Sequence, residues 1–237
     1  QAGIAIAAVM VEAVAANMGV VMPDASFLLG LRELTRRYGS LLIFDEVITG
    51  FRFTYGGCQQ LFGIEPDLTC LGKIIGGGLP LAAYGGRSEV MEKLAPLGPV
   101  YQAGTLSGNP AAVAAGLATL RELSRRDYVR LNQNAARLCD ALQEIVRASG
   151  KPVTVNRAGS MFTVFFSRGP VTDFASAQRC DKAAYARFFW RMLEQGIYMP
   201  PAQFEGNFLS FSHSDADIRR TVAGFACALS GCPPCRR

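Results

Sequence analysis

The sequence has few of the residues and patterns that mark several common protein classes. It contains one histidine and one tryptophan among 237 residues, no uncharged apolar run of about 18 residues, and no dense cluster of Lys and Arg. The segment from Gln1 to Glu12 has no basic region of the kind that opens a signal peptide. The sequence therefore predicts a soluble protein, cytoplasmic or in a plastid stroma, that acts on a small molecule and binds neither a membrane nor nucleic acid.

The seven cysteines are scattered along the chain and odd in number. This pattern favours a reducing compartment over a disulfide framework. Cys232 and Cys235 have the spacing of a redox or metal pair, but neither a second pair nor a nearby histidine completes a site. We therefore expect no metal centre.

The first half of the chain alternates apolar strand-like runs with helix-like segments, which is typical of an α/β layer with parallel strands. Strands are predicted at 4–14, 41–45, 67–72 and 80–86. A helix is predicted at 27–38, with Leu28, Leu31 and Leu34 on one stripe and Gly39 at its end.

The second half has a different order of predicted elements. A helix is predicted at 109–123, and a second helix follows it and ends at 149. Strands are predicted at 153–156 and 160–166, a helix at 181–195, a strand at 208–212 and a last helix at 215–230. We interpret 1–127 as part of a large domain with a mostly parallel sheet, and 128–237 as a smaller α+β domain.

Three polar residues follow predicted strands at even intervals of 28 residues: Asn17, Asp45 and Lys73. The carboxyl ends of parallel strands are where α/β folds collect their ligands. A lysine desolvated by apolar neighbours has a lowered pKa and can act as a Schiff-base nucleophile or a proton-transfer base. A carboxylate at a strand end can hold a cofactor nitrogen protonated.

Simpler interpretations of the same residues remain open. Lys73 alone could be a surface lysine, and Asp45 could cap a turn with Glu46 as its solvated neighbour. Thr105 could merely cap the helix that opens at Asn109. The glycines at 76–78 follow a lysine rather than precede a Lys-Ser/Thr pair, which excludes a Walker motif.

Four segments resemble the class III pyridoxal-phosphate aminotransferases, and the resemblance covers essentially the whole chain. The segments are VEAVAANMGVV (11–21), LIFDEVITGFR (42–52), LGKIIGGGLP (71–80) and YQAGTLSGNP (101–110). Some of these, with the Gln-Phe-Glu at 203–205, favour an aminomutase within that family. The resemblance implies the type I fold of pyridoxal-phosphate enzymes, pyridoxal 5'-phosphate as cofactor, a small-molecule substrate and a homodimer.

The resemblance also implies roles for individual residues. Lys73 would bond covalently to the cofactor and move a proton, and Asp45 would pair with the cofactor's ring nitrogen. Val47 would pack against the ring. Asn17 would form a hydrogen bond near the ring hydroxyl. Thr105 would reach the phosphate of a cofactor held mainly by the other subunit. Glu205 would lie near the substrate.

The sequence departs from the family pattern in two ways. Where the family has Glu-Pro-Val-Ala-Gly-Asn, this chain has Glu-Ala-Val-Ala-Ala-Asn at 12–17, without the rigid proline. The family's amino-terminal half has no counterpart, so we expect a partial chain. A related ω-aminotransferase and a catalytically incompetent fragment are the alternative interpretations.

Overall fold

The computed structural model describes residues 6–231, which form two compact units. The first unit contains the described residues up to Ala13 together with Pro23–Arg126, and the second contains Val14–Met22 together with 127–231. Each unit combines helices with a sheet, which confirms the α/β class predicted from the sequence. The Cys232 to Cys235 pair lies outside the described residues.

The first unit is built on a four-stranded sheet. Its elements in chain order are β1 (Ala8–Val11), α1 (Ala25–Tyr38), β2 (Leu41–Asp45), α2 (Gly57–Phe62), β3 (Leu68–Leu71), a turn of 3₁₀ helix (Lys73–Gly76), β4 (Ala83–Gly86), α3 (Ser88–Met91) and α4 (Pro110–Leu123). The strands lie in the order β1-β2-β3-β4; the first three are parallel and β4 is antiparallel to β3. The predicted mostly parallel sheet is confirmed, although β1 is shorter than predicted, and α2 and α3 were not foreseen.

Helix α1 ends at Tyr38 as predicted, but it begins two residues earlier than predicted and lacks the predicted apolar stripe. The Asp24 side chain accepts a hydrogen bond from the Ser26 backbone at 2.9 Å, and Gly39 ends the helix in the left-handed conformation. The stripe is wrong at Leu34, which is 51% exposed, whereas Arg32 is buried. The reason is that Arg32 reaches a buried carboxylate beside the sheet.

The second unit packs three long helices against a small antiparallel sheet. Its elements are α5 (Tyr128–Ser149), β5 (Thr154–Ala158), β6 (Met161–Phe165), α6 (Phe174–Gln178), α7 (Lys182–Glu194), β7 (Asn207–Phe208) and α8 (Asp215–Ser230). The strands lie in the order β5-β6-β7. Leu138, Phe162, Met192 and Phe225 are buried in its core. The predicted hairpin and long helices are confirmed. The strand predicted at 208–212 is wrong except at Phe208, since β7 is Asn207–Phe208, and α6 was not foreseen.

The segment Val14–Met22 belongs to the second unit because hydrogen bonds tie it there. The backbone N–H of Gly19 donates to Phe204 O at 2.7 Å, and that of Val20 donates to Thr163 Oγ1 at 2.9 Å. Gly19 has a positive φ of 79°, and a Cβ there would lie 2.3 Å from the Phe165 ring. The predicted division at 127/128 assigned this segment to the first domain.

No helix within residues 6–231 combines the length and the hydropathy that crossing a membrane requires.

A buried carboxylate, Asp67, holds together the edge of the first sheet where β3 begins. Arg32 Nη1 and Arg87 Nη1 each lie 2.9 Å from one of its oxygens, and the Leu42 N–H donates to it at 2.7 Å. Burial acts to raise the pKa of Asp67, but the hydrogen bonds from Leu42, Arg87 and Arg32 outweigh it and hold that pKa below its usual value. Asp67 therefore joins α1, β2 and the end of β4.

We expect Asp67→Asn to destabilise the first unit by about 3–5 kcal/mol, because the buried Arg32 loses its counter-ion. Because the pKa of Asp67 is lower in the folded state than its reference value of 3.8, ionised Asp67 contributes its full stabilisation above that value. This stabilisation is lost as the pH falls through the pKa of the folded state. Hydrogen exchange of the β2 and β3 amides in urea gives the free energy of unfolding of the first unit. It is measured for both proteins at pH 7 and below pH 4.

Glu122→Gln is the matched control, because Glu122 of α4 forms an exposed pair with Arg126, beyond the end of that helix, and such pairs contribute little. Equal exchange rates in the Asp67→Asn and Glu122→Gln proteins would contradict the assignment.

Candidate active site

Asp45 ends β2 at the carboxyl edge of the first sheet, as predicted. It lies opposite Cys70 in the parallel pairing with β3. Its Oδ1 accepts the Val47 backbone N–H at 3.0 Å. Its Oδ2 accepts no hydrogen bond from any residue between 6 and 231, so one oxygen of a half-buried carboxylate is available to a ligand.

Lys73 follows β3 at the same edge, in a turn that leaves the sheet. Gly72 has extended backbone, and Lys73 has a positive φ of 47°, which is uncommon for a residue with a side chain. The predicted desolvation of the amine is wrong for the described chain, since the side chain is exposed. The reason is that the strand ends at Leu71, so the apolar run that precedes Lys73 in sequence does not cover it.

Helix α4 approaches the Lys73 turn so closely that two glycines are required. A Cβ on Gly116 would lie 2.7 Å from Ile75 O and 2.6 Å from the Leu81 side chain. Gly77, which ends the turn with φ 58°, would bring a Cβ to 2.3 Å from Thr119 Oγ1. The position of the lysine turn thus depends on backbone contact with α4.

An open cleft of about 630 Å³ lies beside the ends of β2 and β3. Its walls come from the ends of these strands, the segment leading into β4 and the loop that precedes α4: Val47, Cys70, Leu71, Pro80, Leu81, Ala82, Ala83, Tyr84, Gln102, Gly104, Leu106, Ser107 and Gly108. Val47 is the predicted site residue among them. Thr105 is exposed in the same loop, between two lining residues.

Two residues of this edge were missed or misjudged from the sequence. Cys70 lines the cleft, and burial together with the charge of Asp45 raises the pKa of its thiol. Glu46, considered above as a solvated neighbour of Asp45, is instead buried and accepts hydrogen bonds from α2. The apolar run before Asp45 could have indicated burial, but the donors that α2 offers to Glu46 lie more than ten residues further along the chain.

Asn17 and Glu205 lie in the second unit, on two loops that are joined to each other. Thr163 Oγ1 accepts from the Val20 N–H and donates to Glu205 O at 3.1 Å. Both Asn17 and Glu205 are exposed. Asn17 does not end a strand as predicted, because its segment is bridged between Ala15 and Val21 within the second unit. Glu205 lies near Tyr185, and burial, with the charge of Glu205 as the smaller cause, raises the pKa of Tyr185 to about 12.

No group of three or more His, Cys, Asp or Glu side chains suited to a metal ion occurs in the described part of the chain.

The sequence matches the family model for class III aminotransferases over residues 2–215. The chain belongs to the class III aminotransferase family. The family resemblance inferred from four segments is therefore confirmed, and with it the fold type, because solved class III transaminases superpose on the chain.

Among curated class III relatives, the glutamate-1-semialdehyde 2,1-aminomutase of Pelotomaculum thermopropionicum is 62% identical over 92% of this chain and 50% of its own length. That of Desulforudis audaxviator is 57% identical over 95% of this chain and 54% of its own length. The chain thus spans about half the length of the curated relatives it matches.

Two solved structures illustrate the shared fold. An ω-transaminase from Sphaerobacter thermophilus superposes with a TM-score of 0.85 at 36% identity, covering 94% of this chain and 51% of the transaminase. A glutamate-1-semialdehyde aminomutase variant from Pseudomonas aeruginosa in complex with PMP superposes with a TM-score of 0.84 at 26% identity. The match covers 94% of this chain and 51% of that aminomutase.

We expect Gly116→Val to displace the Lys73 turn, because the new side chain would overlap Ile75 O and Leu81; overpacking of this kind costs about 1–3 kcal/mol. The expected result is faster hydrogen exchange at the Ile75 and Gly77 amides. Ala118→Val is the control, because it places the same β-branched side chain at an exposed position of the same helix. Unchanged exchange in Gly116→Val would show that the close contact does not hold the turn.

Proposed function

We propose that the protein containing this chain is a glutamate-1-semialdehyde 2,1-aminomutase, which converts glutamate-1-semialdehyde to 5-aminolevulinate for tetrapyrrole synthesis. The observation that carries the proposal is the 57–62% identity to enzymes of that name over more than nine-tenths of the chain. The segments quoted above from the sequence resemble the same enzyme. An exposed amine and a carboxylate with a free oxygen, following adjacent parallel strands, support the chemistry.

The residues at the sheet edge fit pyridoxal 5'-phosphate. Asp45 offers an unfilled carboxylate oxygen suited to a protonated ring nitrogen, and Lys73 offers an accessible primary amine suited to an aldehyde. Val47 supplies an apolar wall of the adjoining cleft. The Thr105 hydroxyl is assigned to the phosphate of the cofactor held mainly by the other subunit, as the family resemblance implies. Bound at the sheet edge, the cofactor would supply an electron sink for charge that develops on a substrate carbon.

The chain's own residues then have separate tasks. Asp45 keeps a proton on the ring nitrogen, because a carboxylate favours the charged form of its partner. Lys73 would hold the cofactor covalently and, once released, would move a proton between the substrate carbon and the cofactor through Nζ. Val47 restricts the ring on one face. We assign Asn17 to the ring hydroxyl and Glu205 to the substrate end on the strength of the family resemblance.

An ω-aminotransferase is the second candidate, since the Sphaerobacter thermophilus enzyme of that class has the same fold. Its 36% identity to this chain is below the 62% of the Pelotomaculum thermopropionicum aminomutase, which favours the aminomutase. Because the chain spans half the length of these relatives, we expect the 237-residue chain alone to be inactive. Activity is therefore measured on the intact protein that carries this sequence.

We further propose a homodimer formed through the loop before α4. Leu97 is 79% exposed and Tyr101 is 83% exposed, and Leu106 of the same loop is also exposed beside the cleft. Exposed apolar and aromatic side chains are enriched at association surfaces. The family resemblance has Thr105 of this loop reaching the cofactor phosphate of the other subunit.

Lys73→Ala should lower the rate of 5-aminolevulinate formation by about three orders of magnitude, since it removes the amine that moves the proton. The assay follows 5-aminolevulinate from glutamate-1-semialdehyde and, in parallel, keto product released from an added amine donor. Release of keto product without 5-aminolevulinate by the unaltered enzyme would favour the ω-aminotransferase.

Lys93→Ala is the control for that measurement, because Lys93 is an exposed lysine of the same unit after α3. Full activity in the Lys73→Ala protein would refute the role of Lys73.

Tyr101→Asp should convert the intact protein from dimer to monomer, since it puts a charge among apolar side chains of the proposed interface. Loss of an aromatic anchor of this kind raises a dissociation constant about 30-fold or more. Light scattering after size exclusion measures the mass. Tyr198→Asp changes a tyrosine of similar exposure, 74%, in the second unit, and should leave the mass unchanged; the reverse result would contradict the proposed interface.

A further inference from the structure

Glu46 is a buried carboxylate that the proposed roles do not use, although it lies between Asp45 and Val47. Its side chain is 1% exposed. No ion pair among residues 6–231 includes it. Burial of a carboxylate is costly unless its oxygens are fully hydrogen-bonded, so the surrounding donors must offset that cost.

Four donors surround the two oxygens of Glu46. Oε2 accepts from the Cys58 N–H at 2.7 Å and from Thr49 Oγ1 at 3.2 Å. Oε1 accepts from both the backbone N–H and Nε2 of Gln59, each at 3.3 Å. Donors alone face these oxygens, which suits an acceptor-only carboxylate and not an amide.

The same residue is fixed through its backbone and through Gln59. The Glu46 N–H donates to Cys70 O at 2.9 Å, and Glu46 O accepts from the Gly50 N–H at 2.9 Å. Gln59 Nε2 also donates to Thr69 Oγ1 on β3 at 3.0 Å. The network therefore joins the carboxyl ends of β2 and β3 to the start of α2.

Gly57, the first residue of α2, leaves room for this carboxylate. It has a positive φ of 66°, and a Cβ there would lie 2.4 Å from Glu46 Oε2. The conformation and the space both require glycine. The local backbone is thus shaped around the Glu46 side chain.

We propose that Glu46 is a positioning residue: its hydrogen-bond network fixes the backbone that aims Asp45 Oδ2 and Val47 at the cofactor. The inference rests on the proposed function, which assigns those two residues to pyridoxal phosphate. Glu46 itself touches neither cofactor nor substrate. It acts through the chain on each side of it.

The test is Glu46→Gln in the intact protein, measured by pyridoxal phosphate affinity and by the visible absorbance of the bound cofactor. The amide turns an N–H₂ group toward donors, so at least one of the four loses its acceptor. We expect the protein to bind pyridoxal phosphate about tenfold or more weakly, which corresponds to the loss of one hydrogen bond to a charged group. We also expect the absorbance to shift in the same direction as in Asp45→Asn.

The double variant separates positioning from a merely structural role. If Glu46 acts through Asp45, adding Glu46→Gln to Asp45→Asn changes affinity and absorbance by much less than the sum of the two effects. Glu33→Gln, at an exposed position of α1, should change neither. Thr49→Val, which removes one donor only, should act in the same direction as Glu46→Gln and keeps the test valid if the latter fails to fold.

The outcomes distinguish the inference from the function on which it rests. Unchanged affinity and absorbance in Glu46→Gln, or additive effects with Asp45→Asn, would overturn the positioning role alone. Failure of the unaltered intact protein to take up pyridoxal phosphate would overturn both.

Discussion

The candidate site depends on the parallel pairing of β2 with β3. In this register Asp45 lies opposite Cys70, and the next residue, Glu46, donates its backbone N–H to Cys70 O. The two strands therefore end together, and the chain leaves both of them at one edge. A carboxylate follows one strand and a lysine follows the other because of that register, and the cleft opens beside the same strand ends.

Three carboxylates beside this sheet differ because their partners differ. Asp67, at the opposite edge, is bound by two arginines and a backbone N–H, and it serves the fold. Glu46 is bound by neutral donors only. Asp45 has one oxygen held by the Val47 N–H and the other unfilled. Environment and not residue type thus determines which acid is available for chemistry.

The sequence was sufficient to predict the elements that local pattern controls. Apolar runs predicted β2 and β3 and hence the strand-end positions of Asp45 and Lys73, and Asn109 with Pro110 predicted the start of α4. Features that depend on contacts distant in sequence could not be predicted in this way. The burial of Glu46 depends on donors from α2, and the grouping of Asn17 with the second unit depends on Thr163, whose position in space no local pattern reports.

Cys70 lines the cleft beside the ends of β2 and β3 and lies opposite Asp45 in the strand pairing. Thiolates add readily to aldehydes, whereas protonated thiols are poor nucleophiles. Burial and the negative charge of Asp45 both raise the pKa of the Cys70 thiol, which disfavours its thiolate form. The charge of Asp45 thus also makes a thiol in the wall of this cleft a weaker nucleophile, besides leaving one of its own carboxylate oxygens open to a ligand.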